Sequence, residues 1–338
     1  MLNERDFQTI WYGGREPSWL LKGLAAIYGV ISSMRRNLYA SGLLARERLP
    51  VPVVVVGNIN VGGTGKTPLV IALVQALRER GWNPGVITRG YTGNARGAFV
   101  LDAHCSPLVA GEEACMILRR TQAPTAVGRD RVAAGRVLLN AASVDVLIAD
   151  DGLQHLRLRR DVEICVIDGA RRFGNGRLLP AGPLREPVSR LANVDFRVCN
   201  GGIAQQGEVV MTLAGETAVS LKDPSQARPL RDFAGRRAHG VAGIGNPGRF
   251  FAQLRAAGID PIEHPFDDHF PFAAKDLDFG DELPVLMTEK DAVKCLAFAQ
   301  ARYWSVPIRA QLPETFLDDL VGRLKQHRQR LAAPSRAD

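Results

Sequence analysis

The sequence predicts an α/β fold: a mostly parallel sheet with helices on both faces, followed by a smaller C-terminal α/β lobe joined through a β-hairpin linker. Three observations predict it. Residues 53–67, VVVVGNINVGGTGKT, run an apolar strand into a glycine-rich loop that ends Gly-Lys-Thr. Residues 144–149 form a second apolar strand ending in Asp150-Asp151-Gly152. From residue 51 to about 200, short apolar runs alternate with stretches of helical spacing, as strands buried on both faces by crossover helices do.

In chain order, residues 1–48 read as an amphipathic helical arm at a membrane interface. Trp11, Tyr12, Trp19 and Tyr28 surround the apolar run 20–31, with Lys22 inside it and Arg35 and Arg36 just beyond. The run is shorter than the ~20 residues a spanning helix needs, and aromatic and arginine side chains at its margins suit a helix lying among headgroups. An amphipathic helix packed on the rest of the protein has the same pattern.

Residues 49–202 read as the nucleotide lobe, with strands at 53–56, 85–88, 144–149 and 164–168 and helices at about 68–80, 111–120 and 130–141. Pro68 stands just inside the first of these helices, and Leu69, Val70, Leu73, Val74 and Leu77 recur at its spacing. Ligands of such a sheet gather at the carboxyl ends of its strands, where Gly57, Thr88-Arg89-Gly90 and Asp150-Asp151 fall. Segments 208–213 and 216–221 flank Ala214-Gly215 and read as a hairpin within a linker at 203–228. The last part, 229–338, is the smaller lobe. In it, Gly243-Ile244-Gly245-Asn246-Pro247-Gly248 matches the dinucleotide fingerprint, and Glu263 falls where a ribose-binding acid would stand. The same residues also read as a helix start, with Phe250, Phe251 and Leu254 as its apolar face.

The loop at 58–67 has the chemistry of a P-loop NTPase. Asn60, Val61, Gly62, Gly63, Thr64, Gly65, Lys66 and Thr67 are the candidate cradle. Its glycines let backbone N–H groups turn inward around a polyphosphate, Lys66 reaches the terminal phosphates, and Thr67 offers a hydroxyl to magnesium at a helix N-terminus. The common motif has glycine where this chain has Asn60. In such enzymes a carboxylate at the end of a neighbouring strand holds the metal, and Asp150 and Asp151 stand there. An ATP- or GTP-using protein is the reading of the two motifs together.

Composition narrows the setting. Of 338 residues, 46% are apolar and 23% charged, as in a globular protein with a sizeable core. The five cysteines are scattered with no Cys-x-x-Cys pair, which argues for a reducing cytoplasm over a disulfide framework or zinc site. No cleavable signal peptide is visible. The formal charge of +8 points to acidic partners. Nucleic acid is not expected: the sequence holds no zinc finger, RNA-binding aromatic signature or long basic run.

Over nearly its full length the chain resembles the tetraacyldisaccharide 4'-kinases, the lipid A 4'-kinases of Gram-negative bacteria. The matching blocks are VPVVVVGNINVGGTGKTP, TRGY at 88–91, GRDR at 128–131, DDGLQH at 150–155, GNGRLLPAGPLREP at 174–187 and TEKDAVKC at 288–295. That family's loop also lacks the first glycine. The resemblance implies ATP and magnesium as cofactors and a lipid-linked glucosamine disaccharide 1-phosphate as acceptor, phosphorylated on its 4'-hydroxyl. It also implies peripheral attachment to the cytoplasmic face of the inner membrane, with no obligate protein partner evident.

By the same resemblance, Glu186 joins Thr67, Asp150 and Asp151 near the metal. Arg171, Arg172, Arg177 and Arg185 are suited to ATP or the acceptor's 1-phosphate, or equally to a solvated basic face. The family's general base is an aspartate in a Gly-Asp-Glu stretch, assisted by a histidine of an Asp-His pair. This chain reads Gly111-Glu112-Glu113, so a glutamate stands at the base position, while Asp268-His269 keeps the second half. The extra methylene of Glu112 moves its carboxylate by on the order of 1 Å. The catalytic expectation is therefore Glu112, His269 and Lys66. Two rivals are a P-loop switch ATPase acting at the membrane with no sugar-lipid acceptor, and an oxidoreductase using 243–248.

Overall fold

The computed structural model describes residues 4–91, 93–94 and 96–332; the outermost residues of the expected first and last parts lie outside these. Helices α1 (Glu4–Tyr12) and α2 (Trp19–Ala40) come first. They are followed by β1 (Val53–Gly57), α3 (Lys66–Glu79), β2 (Pro84–Thr88), β3 (Phe99–Val100), α4 (Pro107–Ala110), α5 (Glu112–Thr121) and β4 (Thr125–Val127). Next are α6 (Arg131–Ala141), β5 (Val146–Asp150), β6 (Val162–Asp168), β7 (Phe196–Asn200) and β8 (Glu208–Ala214). The second half adds β9 (Thr217–Ser220), β10 (Ala227–Pro229), β11 (Arg237–Ala242), α7 (Pro247–Ala256), β12 (Asp260–Pro265) and β13 (Val285–Thr288). It closes with α8 (Glu289–Cys295), β14 (Tyr303–Val306), β15 (Arg309–Gln311) and α9 (Glu314–Ala332).

Among the described residues the strands form two sheets, ordered β15-β8-β7-β6-β1-β5-β2-β4-β3 and β10-β9-β14-β13-β11-β12. The large sheet is parallel from β8 to β4, with antiparallel edges. Its middle strand β1 shows why the sequence reads as a continuous apolar run. Val54 and Val56 enter one core with α3, while Val53 and Val55 enter the other with α6, so neither face tolerates a polar side chain. The register sets Val56 beside Asp150, which brings the strand-end carboxylates next to the glycine loop.

Two expectations are corrected. The strands at 208–214 and 217–220 form, but not as a hairpin: β8 pairs parallel with β7, whereas β9 pairs antiparallel with β10 and β14. Burial decides this over the local turn, because Met211 fills the large-sheet core and Ala218 the core of the small lobe. The chain also does not finish in the small lobe. β15 returns to the edge of the large sheet, and Phe316, Leu317, Leu320, Val321 and Leu324 of α9 pack into the core over that sheet.

The N-terminal arm is the short α1 followed by the long α2, which starts at Ser18, whose hydroxyl accepts from the Leu21 N–H. Leu21 and Ala25 pack inward against Ile10 and Ala181. Leu20, Leu24, Ile27, Ile31 and Met34 repeat down another side and are exposed, as is Trp19 at 83%. No helix among the described residues is long and apolar enough to cross a membrane.

Candidate active site

The glycine loop leaves β1 and reaches α3 through Gly65, which adopts a left-handed φ of 95° as the helix cap. A side chain there would collide with the amide of Asn200, which donates to the Thr64 carbonyl at 2.9 Å and ties the loop to the end of β7. From the other side, the Val61 N–H donates to the Pro183 carbonyl at 2.8 Å and the Asn60 amide to the Arg172 carbonyl at 2.7 Å. Asn60 is therefore a tether, which explains a position where glycine is not needed.

Lys66 and Thr67 open α3. The Lys66 ammonium lies 3.5 Å from Asp151 Oδ1 and 3.4 Å from Asn58 Oδ1. Arg185 meets both Asp151 oxygens at 3.3 Å. Burial pushes the Asp151 carboxyl upward, but Lys66 and Arg185 outweigh it and hold it below the usual range. Asp150 behaves oppositely. It is 1% exposed, and neither of its carboxylate oxygens has a hydrogen-bond partner among the described residues. Burial, then Glu113 and Asp151, drive it up to about 7 against the pull of Lys66 and Arg131. A buried carboxylate without a donor calls for a cation. The buried Thr64 hydroxyl is likewise without a partner.

No three His, Cys, Asp or Glu side chains among the described residues are grouped to hold a metal by themselves. That suits magnesium, which takes one or two carboxylates and completes its shell with phosphates and water. Glu186, also expected in that shell, is engaged by protein side chains. Its carboxylate accepts from the Gln154 amide at 2.7 Å and lies 3.4 Å from Arg190 and 3.9 Å from Arg36.

The four arginines separate. Arg172 forks onto Glu208 at 2.7 and 2.9 Å, and Arg177 lies 3.9 Å from Glu16. Arg185 is on Asp151, and Arg171, 5.5 Å from the Tyr12 ring, lines the cleft beside the glycine loop.

The second lobe supplies the far wall of that cleft with Ile244, Gly245, Asn246, Arg249 and Phe250. The dinucleotide-like segment thus lines the same cleft as the glycine loop, and Glu263 pairs with Arg255 instead of awaiting a ribose. His264 is held by His239 at 2.9 Å, apart from His269.

Glu112 and His269 meet where the two lobes join, beside the cleft that their neighbours Glu113, Asp268 and Lys290 line. Gly111, at φ 91°, starts α5 where a side chain would strike the Tyr91 carbonyl, and this close turn sets Glu112 in the first turn of the helix, next to Glu113, which lines the cleft. His269 Nδ1 is 3.0 Å from Glu112 Oε2, while Lys290 Nζ sits 3.3 Å from His269 Nε2. An ammonium can only donate, so Nε2 accepts and the ring proton stands on Nδ1, facing the glutamate.

Sequence reasoning missed Arg131, Gln154, Lys290, Asp291 and Lys294. Arg131 donates to the carbonyls of Asp150 and Asp151 at 3.3 and 3.2 Å. The blocks GRDR, DDGLQH and TEKDAVKC contained all five, but nothing in their spacing assigns roles. A cavity of about 600 Å³ adjoins this region, lined by Arg89, Arg96 and Arg129 with Val109 and Gly128. Among the described residues these three guanidiniums carry no ion pair.

The profile of the tetraacyldisaccharide-1-P 4'-kinase family matches residues 17–325. A tetraacyldisaccharide 4'-kinase of Nitrosococcus oceani is 49% identical over 94% of this chain and 93% of its own length. One from Stenotrophomonas maltophilia is 49% identical over 94% and 96%. Among solved structures, LpxK from Aquifex aeolicus in complex with ATP superposes with a TM-score of 0.76 at 27% identity, covering 89% of this chain and 97% of that one.

Proposed function

The chain belongs to the tetraacyldisaccharide-1-phosphate 4'-kinase family, and from that membership we propose how its residues share the reaction. It is an ATP-dependent kinase acting on the 4'-hydroxyl of a tetraacylated disaccharide 1-phosphate in lipid A biosynthesis. The observation that supports the residue assignment is that one cleft, lined by Lys66, Thr67, Glu113, Asp268 and Lys290, adjoins both the Lys66–Asp151–Asp150 cluster at the glycine loop and the Glu112–His269 pair between the lobes.

Residues 60–67 cradle the polyphosphate, with Lys66 balancing charge on the transferred group. Thr67, Asp150 and Asp151 would hold magnesium, which when bound supplies charge neutralisation at the β- and γ-phosphates. The donorless Asp150 carboxylate supports that fit. Glu186 acts one step out, through Gln154, whose Oε1 is 3.4 Å from Arg185.

Glu112 takes the proton of the acceptor hydroxyl as its oxygen bonds to the γ-phosphorus and the bond to the β-phosphate oxygen breaks. His269 holds the carboxylate through its Nδ1 proton. The arginine-lined cavity beside Gly128 suits the acceptor's own phosphate, with guanidinium forks matched to its oxygens.

We also infer peripheral attachment to the inner membrane's cytoplasmic face through α2. Each exposed apolar side chain moved out of water contributes roughly 1.5–3 kcal/mol. The Tyr28 hydroxyl on α2 donates to the Arg185 carbonyl at 3.0 Å, so the arm adjoins the catalytic cluster.

The test is transfer of labelled γ-phosphate from ATP–magnesium to purified tetraacyldisaccharide 1-phosphate in detergent. Labelled lipid in the parent, and its loss in Glu112→Gln, are expected. Intact ATP hydrolysis with no lipid labelling would favour the switch ATPase instead.

A further inference from the structure

The two oxygens of Glu112 face different groups. Oε2 is 3.0 Å from His269 Nδ1 and 4.0 Å from Lys290 Nζ, both from the second lobe. Oε1 is 3.7 Å from Lys294 Nζ, on α8. The Lys294 side chain is 8% exposed, and its ammonium also lies 2.9 Å from Asp291 Oδ1. Asp291, at 0% exposure, accepts through its other oxygen from the Gly243 N–H at 2.8 Å and the Thr288 hydroxyl at 2.6 Å. Gly243 opens the loop whose next residues, Ile244, Gly245 and Asn246, line the nucleotide cleft. A continuous chain of contacts therefore runs from the cleft loop through Asp291 and Lys294 to the free end of Glu112.

A glutamate carries one more rotatable bond than an aspartate, so one hydrogen bond from His269 leaves its carboxylate free to pivot. The Lys294 ammonium, ion-paired at 3.7 Å with the opposite oxygen, restrains that pivot. We propose that Lys294 is a positioning residue for the transfer step, aiming the Glu112 carboxylate and tying its orientation, through Asp291, to the loop that begins at Gly243. This rests on the reading of Glu112 as the base. The plainer alternative is that Lys294 merely neutralises buried Asp291 within α8.

A double-mutant cycle separates the two, with kcat and KM measured for the parent, Lys294→Met, Glu112→Gln and the double variant. Lys294→Met is expected to lower kcat by about tenfold to a hundredfold, the scale of an ångström of misplacement, with KM for ATP changed by less than about threefold. In the Glu112→Gln background the same change should cost less than about twofold, because no base remains to be aimed. Equal losses in both backgrounds would overturn the proposal and leave Lys294 a structural partner of Asp291. Parent-like kcat in Glu112→Gln would overturn the base reading as well, a result distinguishable from the first. Should Lys294→Met fail to fold, Asp291→Asn with Lys294→Gln keeps the contact without buried charge and enters the same cycle.

Discussion

His269 Nδ1 stands 3.0 Å from Glu112 Oε2, joining a loop of the second lobe to the first turn of α5 in the first. Neither residue has this partner within its own lobe, so the pair exists only when the lobes are apposed. A glutamate that reaches its histidine at ordinary hydrogen-bond distance also shows that the longer side chain is accommodated. Glu112→Gln should lower kcat by about a hundredfold to ten-thousandfold, the range for losing a general base. Glu112→Asp should cost about tenfold, since it withdraws the carboxylate by on the order of 1 Å from His269. Steady-state kinetics with the lipid acceptor check both, and an aspartate variant faster than the parent would contradict the fitted geometry.

Thr67→Ala should abolish transfer while the protein stays folded. The side chain is buried at the start of α3 and lines the cleft. We expect kcat to fall by at least about a hundredfold with an unchanged far-ultraviolet spectrum. Normal turnover in that variant would remove the phosphate-loop assignment.

Asp150 makes stability depend on pH. Its folded value, about 7, lies above the ordinary 3.8, so between these values the folded chain keeps a proton that the unfolded chain has lost. Its contribution is full below about pH 4 and is lost as pH rises through about 7. Metal-free Asp150→Asn should therefore gain Tm relative to the parent at pH 8 more than at pH 4. Magnesium–ATP should raise the parent's Tm and scarcely move the variant's. Calorimetry with chelator at the two pH values checks this; equal Tm differences at both would sink it.

Charging the exposed stripe of α2 should release the protein from lipid without unfolding it. Leu24 and Ile31 are exposed, whereas Leu21 and Ala25 face the protein. Leu24→Glu with Ile31→Glu is expected to weaken vesicle binding by more than about tenfold, given roughly 1.5–3 kcal/mol for each apolar side chain, with Tm nearly unchanged. Undiminished sedimentation with anionic vesicles would refute the interfacial role.

Much of this was legible in the residues. Four valines in a row before a glycine loop require a strand buried on both faces, and Gly-Lys-Thr at its end requires an anion site, because each rests on local backbone and side-chain chemistry. Asp150-Asp151 at the end of another apolar run follows from the same rule. Long-range partners were not legible. The hairpin read at 208–221 failed because Met211 and Ala218 belong to different cores, which no local pattern records. The contacts of Glu186 with Gln154 and of Arg172 with Glu208 join residues more than thirty positions apart, which no local pattern announces.

Local patterns in the chain announce the nucleotide loop, the strand-end aspartates, the amphipathic arm and, through the motif blocks, the family. That α9 returns to the first lobe, that residues 244–246 line the cleft, and that Lys290 and Lys294 gather around Glu112 emerges only once the chain has folded. The difference between the two groups is one of range. Strand, loop and helix signals are written within a few residues, whereas a buried ion pair depends on which surfaces meet when two cores close, and that is settled by the packing of the whole chain.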